Sequence, residues 1–550
     1  MAWIFGLDSF HDPSYNRAPW GSIINNSYSI SMKASKLDKP IFLAVISGIL
    51  LFLSFPKYGA GIVAWIALVP LMYSCREITV ISGFIRGFVA GLVFNVGLLY
   101  WITFVIVNYG YLPLPIGIFA MLIMAAYLSI YVALFTTGLV YLRDRGIAQV
   151  IAAPLLWTCL EYAKSHLLTG FPWENLAYSQ YLYIPLIQIA DITGIYGLTF
   201  VIVLINAIIC DLLAGFIDGL ERKARTLLLM EVAGGFLILI ALWCYGDMRV
   251  SQVREMMDSA SPIDISLIQG NVDQSIKWNP QHQDETVEIY KSLSGQPPPL
   301  SSGLIIWPET AAPFYFQDMS LRSREVLLIA KDSASWLLFG SPSYIRKDNQ
   351  ISFFNSAFLL SPEGGIAGRY DKVHLVPYGE YVPMRRFFPF ISKLVAGVGD
   401  FGTGKGFHPL IMGDRKVGVL ICYEAIFPES SLAYKRMGAG LLVNITNDAW
   451  FGRSSAPYQH LSMTTFRAVE NRLYVLRAAN TGISAIIDPT GKILSHTDLF
   501  IRTALKGKAR FIDKGTYYMA YGDAFIYLCL MSLLVTILNP FVRRKKCWKN

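Results

Sequence analysis

Disulfide chemistry is the first thing this sequence has little means for. Of seven cysteines in 550 residues, Cys75, Cys159, Cys210, Cys244, Cys529 and Cys547 lie in or beside apolar runs or on the C-terminal tail. The polar stretch from about 262 to 515 holds Cys422 alone, so no disulfide can form within it. Charge is scarce as well. Only 15% of residues are charged against 54% hydrophobic, and the mean hydropathy is +0.44, which excludes an ordinary soluble protein. There is no Cys-x-x-Cys and no His-Glu-x-x-His, and His374 and His460 have no partners at ligand spacing, so no metal is expected. Gly402-Thr403-Gly404-Lys405-Gly406 fits neither phosphate-loop nor dinucleotide spacing and reads as a glycine-rich loop; no cofactor is expected. Internal repeats and low-complexity segments are absent too.

Long apolar runs are what the chain has in abundance. Seven candidate spans fall at about 40–55, 61–75, 83–107, 115–142, 148–166, 186–215 and 227–246, and an eighth at about 523–541. Crossing a hydrocarbon core takes about 20 apolar residues. The first two runs are short or interrupted by Pro56 and Gly59. The first is not a removable signal, because a polar segment precedes it and no small-residue cleavage pattern follows.

Basic residues orient these spans. Lys33, Lys36 and Lys39 precede the first, and Arg76 and Arg86 lie between the second and third. Arg143 and Arg145 follow the fourth, Arg222, Lys223 and Arg225 follow the sixth, and Arg543, Arg544, Lys545 and Lys546 close the tail. The alternate loops are poor in Lys and Arg, Lys57 and Lys164 being the main exceptions. By the positive-inside rule both termini are cytoplasmic and the polar region is outside. The net charge of +9 then reflects topology and some attraction to anionic lipid, not a basic face for nucleic acid. The expected organisation is a cytoplasmic segment 1–39, a multi-pass transmembrane domain 40–250, an external domain 262–515, a closing helix 523–541 and a cytoplasmic tail 542–550.

In the external domain the pattern changes to short β-branched runs. Examples are Ile263 to Ile268, Leu304-Ile305-Ile306-Trp307, Trp336 to Phe339, Val417 to Ile421 and Ile483 to Ile487. Turn signals such as Pro362-Glu363-Gly364-Gly365 separate them, and helical stretches intervene at about 282–294, 319–333, 428–437 and 459–472. This alternation predicts an α/β domain with buried strands, whose active residues gather where strands end.

Glu309 and Cys422 fall at such ends, and Lys372 follows another run. A thiol attacks an acyl group only as thiolate, so a cysteine nucleophile needs a base and a cation nearby. Glu309 suits the first role and Lys372 the second. Singly, each has an ordinary reading: a core thiol, a solvated loop carboxylate, a surface lysine.

Taken together, the residues resemble a known family. Trp307-Pro308-Glu309, Asp371 to Glu380 (Asp-Lys-Val-His-Leu-Val-Pro-Tyr-Gly-Glu) and Ile421-Cys422-Tyr423-Glu424 resemble the three blocks of the nitrilase, or carbon–nitrogen hydrolase, superfamily, in its order. The layout of about eight membrane helices around an external domain narrows this to a resemblance to the apolipoprotein N-acyltransferases of bacterial inner membranes. Gln269-Gly270-Asn271 leading to Lys277-Trp278, Val376 to Pro383, Asn447 to Gly452 and Gly170-Phe171-Pro172-Trp173 carry the same likeness. It covers about 40–540; residues 1–35 have no counterpart.

The resemblance implies an extracytoplasmic αββα sandwich carrying a Glu309, Lys372, Cys422 triad. It implies that Cys422 takes an acyl chain from a membrane phospholipid and passes it, through a thioester, to the α-amine of the diacylglyceryl-cysteine of an apolipoprotein. Glu380, Tyr423 and Glu424 would support the site, Trp278 would line its mouth or a mobile loop, and Asn355 and Trp173 are further candidates for the pocket. Most external aromatics, among them Tyr109, Tyr111, Tyr178, Tyr181 and Tyr183, read as an interfacial belt. The implied setting is the bacterial inner membrane, with a periplasmic catalytic domain and no partner subunit required. The main rival is a membrane-anchored amidase that hydrolyses a small amide with the same triad. A transporter or receptor is the other, but Glu161, Asp191 and Asp211 are too scattered to mark a pathway.

Overall fold

A computed structural model describes residues 31–218, 222–295, 303–348, 350–381 and 401–538. Residues 1–30, Val382-Pro383 and the tail 542–550 lie outside the described residues, as do the side chains of Lys33, Lys36, Lys39 and Lys223.

Four described helices are long and apolar enough to cross a membrane: Val80–Leu99, Leu114–Arg143, Ile195–Ile217 and Ala224–Ser259. They turn large apolar side chains outward, among them Phe119, Phe216, Phe236 and Leu237, a surface that suits lipid rather than water. Other expected spans are interrupted. The second is a 3₁₀ turn at Gly61–Trp65 followed by a short helix, Val69–Ser74, that starts afresh with Pro70 in its first turn. The third divides at Tyr100 into Val80–Leu99 and Trp101–Gly110. The sixth begins as single turns, Ile184–Ile187 and Ala190–Thr193, before the helix Ile195–Asp218. The helix Gln149–His166 is full length, but its polar residues keep it outside the strongly apolar set. The seventh is longer than expected: the helix Arg222–Ser259 continues almost to the first strand.

Twelve strands follow among the described residues, in two sheets. They are β1 Pro262–Gln269, β2 Leu304–Ile306, β3 Trp336–Lys347, β4 Gln350–Leu360, β5 Ile366–Asp371, β6 Leu410–Met412, β7 Arg415–Ile421, β8 Leu441–Thr446, β9 Tyr474–Ala479, β10 Ala485–Ile487, β11 Ile493–His496 and β12 Thr503–Arg510. One sheet has the order β12-β1-β2-β3-β4-β5 and the other β11-β10-β9-β8-β7-β6. The two-residue period of the first sheet builds two different cores. Leu267, Ile306, Leu338, Ala357 and Leu359 face the second sheet. Ile268, Ile305, Leu337, Phe339 and Phe358 instead pack under the helices Gln283–Ser294 and Leu321–Asp332. The helices Pro428–Arg436 and Ala456–Asn471 cover the second sheet, giving αββα layers.

Strand direction places the functional ends. β1, β2 and β3 are parallel, and two antiparallel steps make β5 run the same way, so β2 and β5 finish at one edge. β7, β8 and β9 are likewise parallel.

The sandwich layers pack directly against the apolar helices. Ala456–Asn471 is buried along most of its length because Met463, Phe466 and Val469 join the core of the membrane half while Leu461 and Ala468 join that of the sandwich. Asp191, between membrane helices, takes Nη2 of Arg472 at 2.7 Å, Nε of Arg249 at 2.6 Å and the Tyr245 hydroxyl at 2.6 Å. Asp191→Ala would strand a fully buried guanidinium, so a loss of about 3–5 kcal/mol is expected. Thermal unfolding in detergent should read this as a lower midpoint; an unchanged midpoint would show that the joint does not stabilise the chain.

Candidate active site

Glu309 leaves the end of β2 on the segment Trp307-Pro308-Glu309. Trp307 anchors it, stacked on Tyr290 with ring centroids 5.0 Å apart and donating Nε1–H to the Ser294 hydroxyl. The segment lies flat on β3 because position 340 has no side chain: a Cβ there would stand 2.7 Å from Glu309 Cα and 2.4 Å from the Thr310 nitrogen. The carboxylate is 6% exposed. Oε1 accepts from Asn355 Nδ2 at 2.7 Å, and Oε2 accepts from the Asn447 N–H at 2.9 Å. Lys277 supports the same turn from below, donating Nζ to the Glu309 carbonyl at 3.2 Å and to the Thr310 hydroxyl at 2.8 Å. Burial lowers the Lys277 pKa to about 7, against the opposing pull of Glu309.

Lys372 follows β5 and is 1% exposed. Its backbone is clamped on both sides: its N–H donates to the Asn355 carbonyl at 2.9 Å, and its carbonyl accepts from the Gly404 N–H at 2.8 Å. The glycine-rich loop thus has a packing reason, since a Cβ at 404 would meet the Asp371 carbonyl oxygen at 2.1 Å. The Lys372 ammonium donates to Glu380 at 2.9 Å and lies 3.8 Å from Glu309 Oε1. Burial alone would lower its pKa, but Glu380 and then Glu309 outweigh it, and the net shift is upward. The cation therefore stays charged. Glu380 is itself oriented by the Val376 N–H at 2.8 Å and by Asn355 Nδ2 at 3.0 Å.

Cys422 stands at the end of β7 with φ of +53°, a left-handed conformation that costs a non-glycine residue about 1–2 kcal/mol. The charges of Glu309, Lys372 and Asp448 and a hydrogen bond from Thr446 all act on the thiol. At 8% exposure it is nearly sealed. Burial and then the Glu309 charge raise its pKa, with Lys372 opposing, so the resting form is the neutral thiol. Such a thiol needs a base before it can attack.

Glu424 ties the nucleophile turn to the lysine segment. Oε2 accepts from the Ile421 N–H at 2.7 Å, while Oε1 accepts from the Val373 N–H at 2.7 Å, the His374 N–H at 3.1 Å and the Tyr370 hydroxyl at 2.8 Å. Burial pushes its carboxyl up to about 7, against the pull of these amides and Lys372. All four partners donate, so the ionised form is the one that fits the geometry. Tyr423 reaches the membrane half, its hydroxyl 3.4 Å from the Gly170 carbonyl.

A cleft of about 260 Å³ opens next to the segments of Lys372 and Cys422, lined by Val373, His374, Tyr381, Tyr423 and Phe427 and, from the membrane half, Thr169. Trp173 is not among its lining residues. It is 3% exposed and donates its indole N–H to Gln459 Oε1 at 2.9 Å, an oxygen that also receives Trp101 Nε1 at 3.2 Å. Two indoles on one carboxamide make a joint between the halves, and that is where the expected pocket residue belongs. Tyr178 is likewise fully buried rather than interfacial, giving its hydroxyl oxygen to Arg467. Trp278 is half-buried beside Lys277.

The sequence leaves Asn447 open between a contact with the site and a turn after the run 441–443, marks Lys277 only within the family likeness and gives His460 no role; Asn447 and Lys277 both donate to Glu309, and His460 Nε2 lies at the Cys422 carbonyl. A donor role filled by a backbone amide leaves no trace in residue type. Lys277 is buried in a turn whose neighbours Asp273, Ser275, Ile276 and Asn279 are exposed, so nothing local marks it as a buried lysine.

Two family models match the chain. That for the apolipoprotein N-acyltransferase N-terminal domain covers residues 47–208, and that for carbon–nitrogen hydrolase covers residues 265–507. An apolipoprotein N-acyltransferase of Geobacter metallireducens is 45% identical over 503 residues, 91% of this chain and 95% of that protein. Another, from Nitrosomonas europaea, is 32% identical over 515 residues, 92% of this chain and 97% of that protein. Among solved structures, a carbon–nitrogen hydrolase from Helicobacter pylori G27 aligns over 45% of this chain and 89% of its own, with a TM-score of 0.36 and 16% identity.

Proposed function

The chain belongs to the apolipoprotein N-acyltransferase family, and from that premise we propose a two-step acyl transfer centred on Cys422. Glu309 takes the thiol proton, and the thiolate attacks the ester carbonyl of a membrane phospholipid. Lys372 and the Tyr423 N–H receive the developing oxyanion. As the carbon–oxygen bond breaks, Glu309 returns the proton to the leaving glycerol oxygen, releasing a lysophospholipid and leaving a Cys422 thioester. The α-amine of the diacylglyceryl-cysteine of an apolipoprotein then attacks. Glu309 takes one amine proton, the carbon–sulfur bond breaks and the thiol is restored, leaving an N-acyl amide. No cofactor enters either half.

The observation that carries this reading is the setting of Glu309. Two donors hold its carboxylate and Lys372 stands 3.8 Å away, beside a cleft that the membrane half helps to line. Glu380 and Glu424 orient this set, and Asn355 positions the base. Both substrates are lipids held in the bilayer at roughly 0.8 kcal/mol per buried methylene, so a site at the membrane surface spares their extraction. The sealed thiol also keeps water from the thioester.

The same reading takes the chain as a monomer in the bacterial inner membrane, with about eight membrane segments, cytoplasmic termini and a periplasmic catalytic domain. The alternation of basic and non-basic loops supports that orientation. Helices too short to cross alone, such as Val69–Ser74, would pack inside the bundle, where broken helices are tolerated. A small-amide hydrolase would need one anchor, not a membrane domain as large as this.

Intact-protein mass spectrometry after incubation with phospholipid alone tests the proposal. The expected result is a hydroxylamine-labile adduct of one fatty-acyl mass. No adduct on a protein whose Cys422 is freely alkylated would overturn it.

A further inference from the structure

Behind Cys422 lies a sealed polar cluster that the steps above do not use. His460, 1% exposed on the helix Ala456–Asn471, has Nε2 3.1 Å from the Cys422 carbonyl oxygen. Its Nδ1 lies 3.0 Å from Nη2 of Arg477 and 3.2 Å from Asp448 Oδ1. Asn444 Nδ2 also reaches the Cys422 carbonyl, at 3.4 Å. Arg477 donates to Asp448 Oδ2 at 2.7 Å and to the Asn444 carboxamide oxygen, and the Thr446 hydroxyl donates to Asp448 Oδ1 at 3.0 Å.

The Nε2 proton is fixed by its partner, whereas Nδ1 stands between a guanidinium donor and a carboxylate acceptor. A carbonyl can only accept and a guanidinium only donate, so Nε2 carries the hydrogen and Nδ1 presents a lone pair to Arg477. A second ring proton would meet the guanidinium, although Asp448 Oδ1 could accept it. Burial and then the Arg477 charge also hold the imidazole below its ordinary pKa, against the pull of Asp448.

We infer that His460 is a positioning residue for acyl transfer: its Nε2–H holds the Cys422 carbonyl, and so aims the N–H of the Cys422–Tyr423 peptide at the reacting centre. The peptide is planar and trans, so its C=O and N–H point opposite ways, and a donor pulling the oxygen from behind turns the N–H to the front. A non-glycine residue at φ of +53° stays there only if its surroundings fix it. His460 and Asn444 supply that hold, and Arg477 and Asp448 orient the pair. The joint with the membrane half is adjacent: the Trp173 ring centroid is 6.0 Å from that of His460, and Gln459 is the next residue.

This rests on the reading of Cys422 as the acylated nucleophile, and the test separates the two. Thioester formation from a phosphatidylethanolamine is followed by mass in the full-length protein and in His460→Gln and His460→Asn, each normalised to thiols titrated in the folded state. Glutamine sets an amide nitrogen where Nε2 stands, while asparagine reaches only the Nδ1 position. The expected result is that Asn slows kcat of acylation by on the order of tenfold or more with little change in KM, and that Gln restores most of it. Equal rates in the two variants, or a fall confined to KM, would overturn the inference. If neither variant accumulates, Asn444→Asp is read the same way: it keeps the Arg477 partner and removes the second donor, and a wild-type rate there would overturn the inference too. A wild-type protein that forms no thioester would instead defeat the proposed function.

Discussion

Cys422→Ala is expected to abolish acyl transfer while the chain still accumulates in the membrane. The substitution removes one sulfur from a site already 8% exposed and leaves every hydrogen bond of Glu424, His460 and Asn444 to this turn in place, because all of them go to backbone atoms. Alanine keeps the Cβ and so bears the same left-handed φ. The fold should therefore lose little. The reaction should lose everything that depends on a covalent intermediate, a fall on the order of 10⁶-fold for removal of an enzyme nucleophile. Mass spectrometry should find no acyl adduct on phospholipid treatment, and a lipoprotein acceptor should stay unmodified. Transfer at the wild-type rate in this variant would sink the thioester mechanism.

Glu309→Gln is the second large effect. Removing a general base slows a reaction by about 10²–10⁴-fold, and here the thiol it serves is raised by burial, so it cannot ionise unaided near neutral pH. The substitution has a local cost as well. Asn355 Nδ2 and the Asn447 N–H both donate to the carboxylate, and an amide can accept only one of them through its oxygen. Asn355 can rotate to offer its Oδ1, which has no hydrogen-bond partner in the structure, but it then gives up Glu380. The protein should fold, somewhat destabilised, and should form thioester very slowly. The residual rate should rise with pH. A group whose pKa lies above ambient gains its ionised form as pH increases, and only thiolate attacks. Normal thioester accumulation in Glu309→Gln, or a residual rate flat with pH, would refute the base assignment.

The layers of the sandwich were legible because strand and helix periods differ. The runs around Leu267, Ile306 and Leu338 alternate between two cores, and the helices at 283–294 and 321–332 fall within a residue or two of where the apolar spacing puts them. The membrane half was less legible. Hydropathy counts apolar residues in a window and does not see where a helix stops, so the run 61–75 read as a span although it divides between Trp65 and Val69. Aromatic position misled for a related reason. Trp173 and Tyr178 are in the loop where interfacial residues belong, but Gln459 and Arg467, remote in sequence, draw both into the protein–protein joint.

By itself the sequence determined the kind of chain this is: a membrane domain, a polar α/β domain with one cysteine, and three strand ends bearing a carboxylate, an ammonium and a thiol. Those facts depend on composition, periodicity and local spacing, which the order of residues states directly. Tertiary structure alone decided what each of the three faces. The donors to Glu309 come from 46 and 138 residues away, and His460 reaches the Cys422 carbonyl across 38. Two are side chains and one is a backbone amide, whose role any residue type could fill. A hydrogen bond depends on distance and angle between groups that only folding brings together, and no local pattern encodes it.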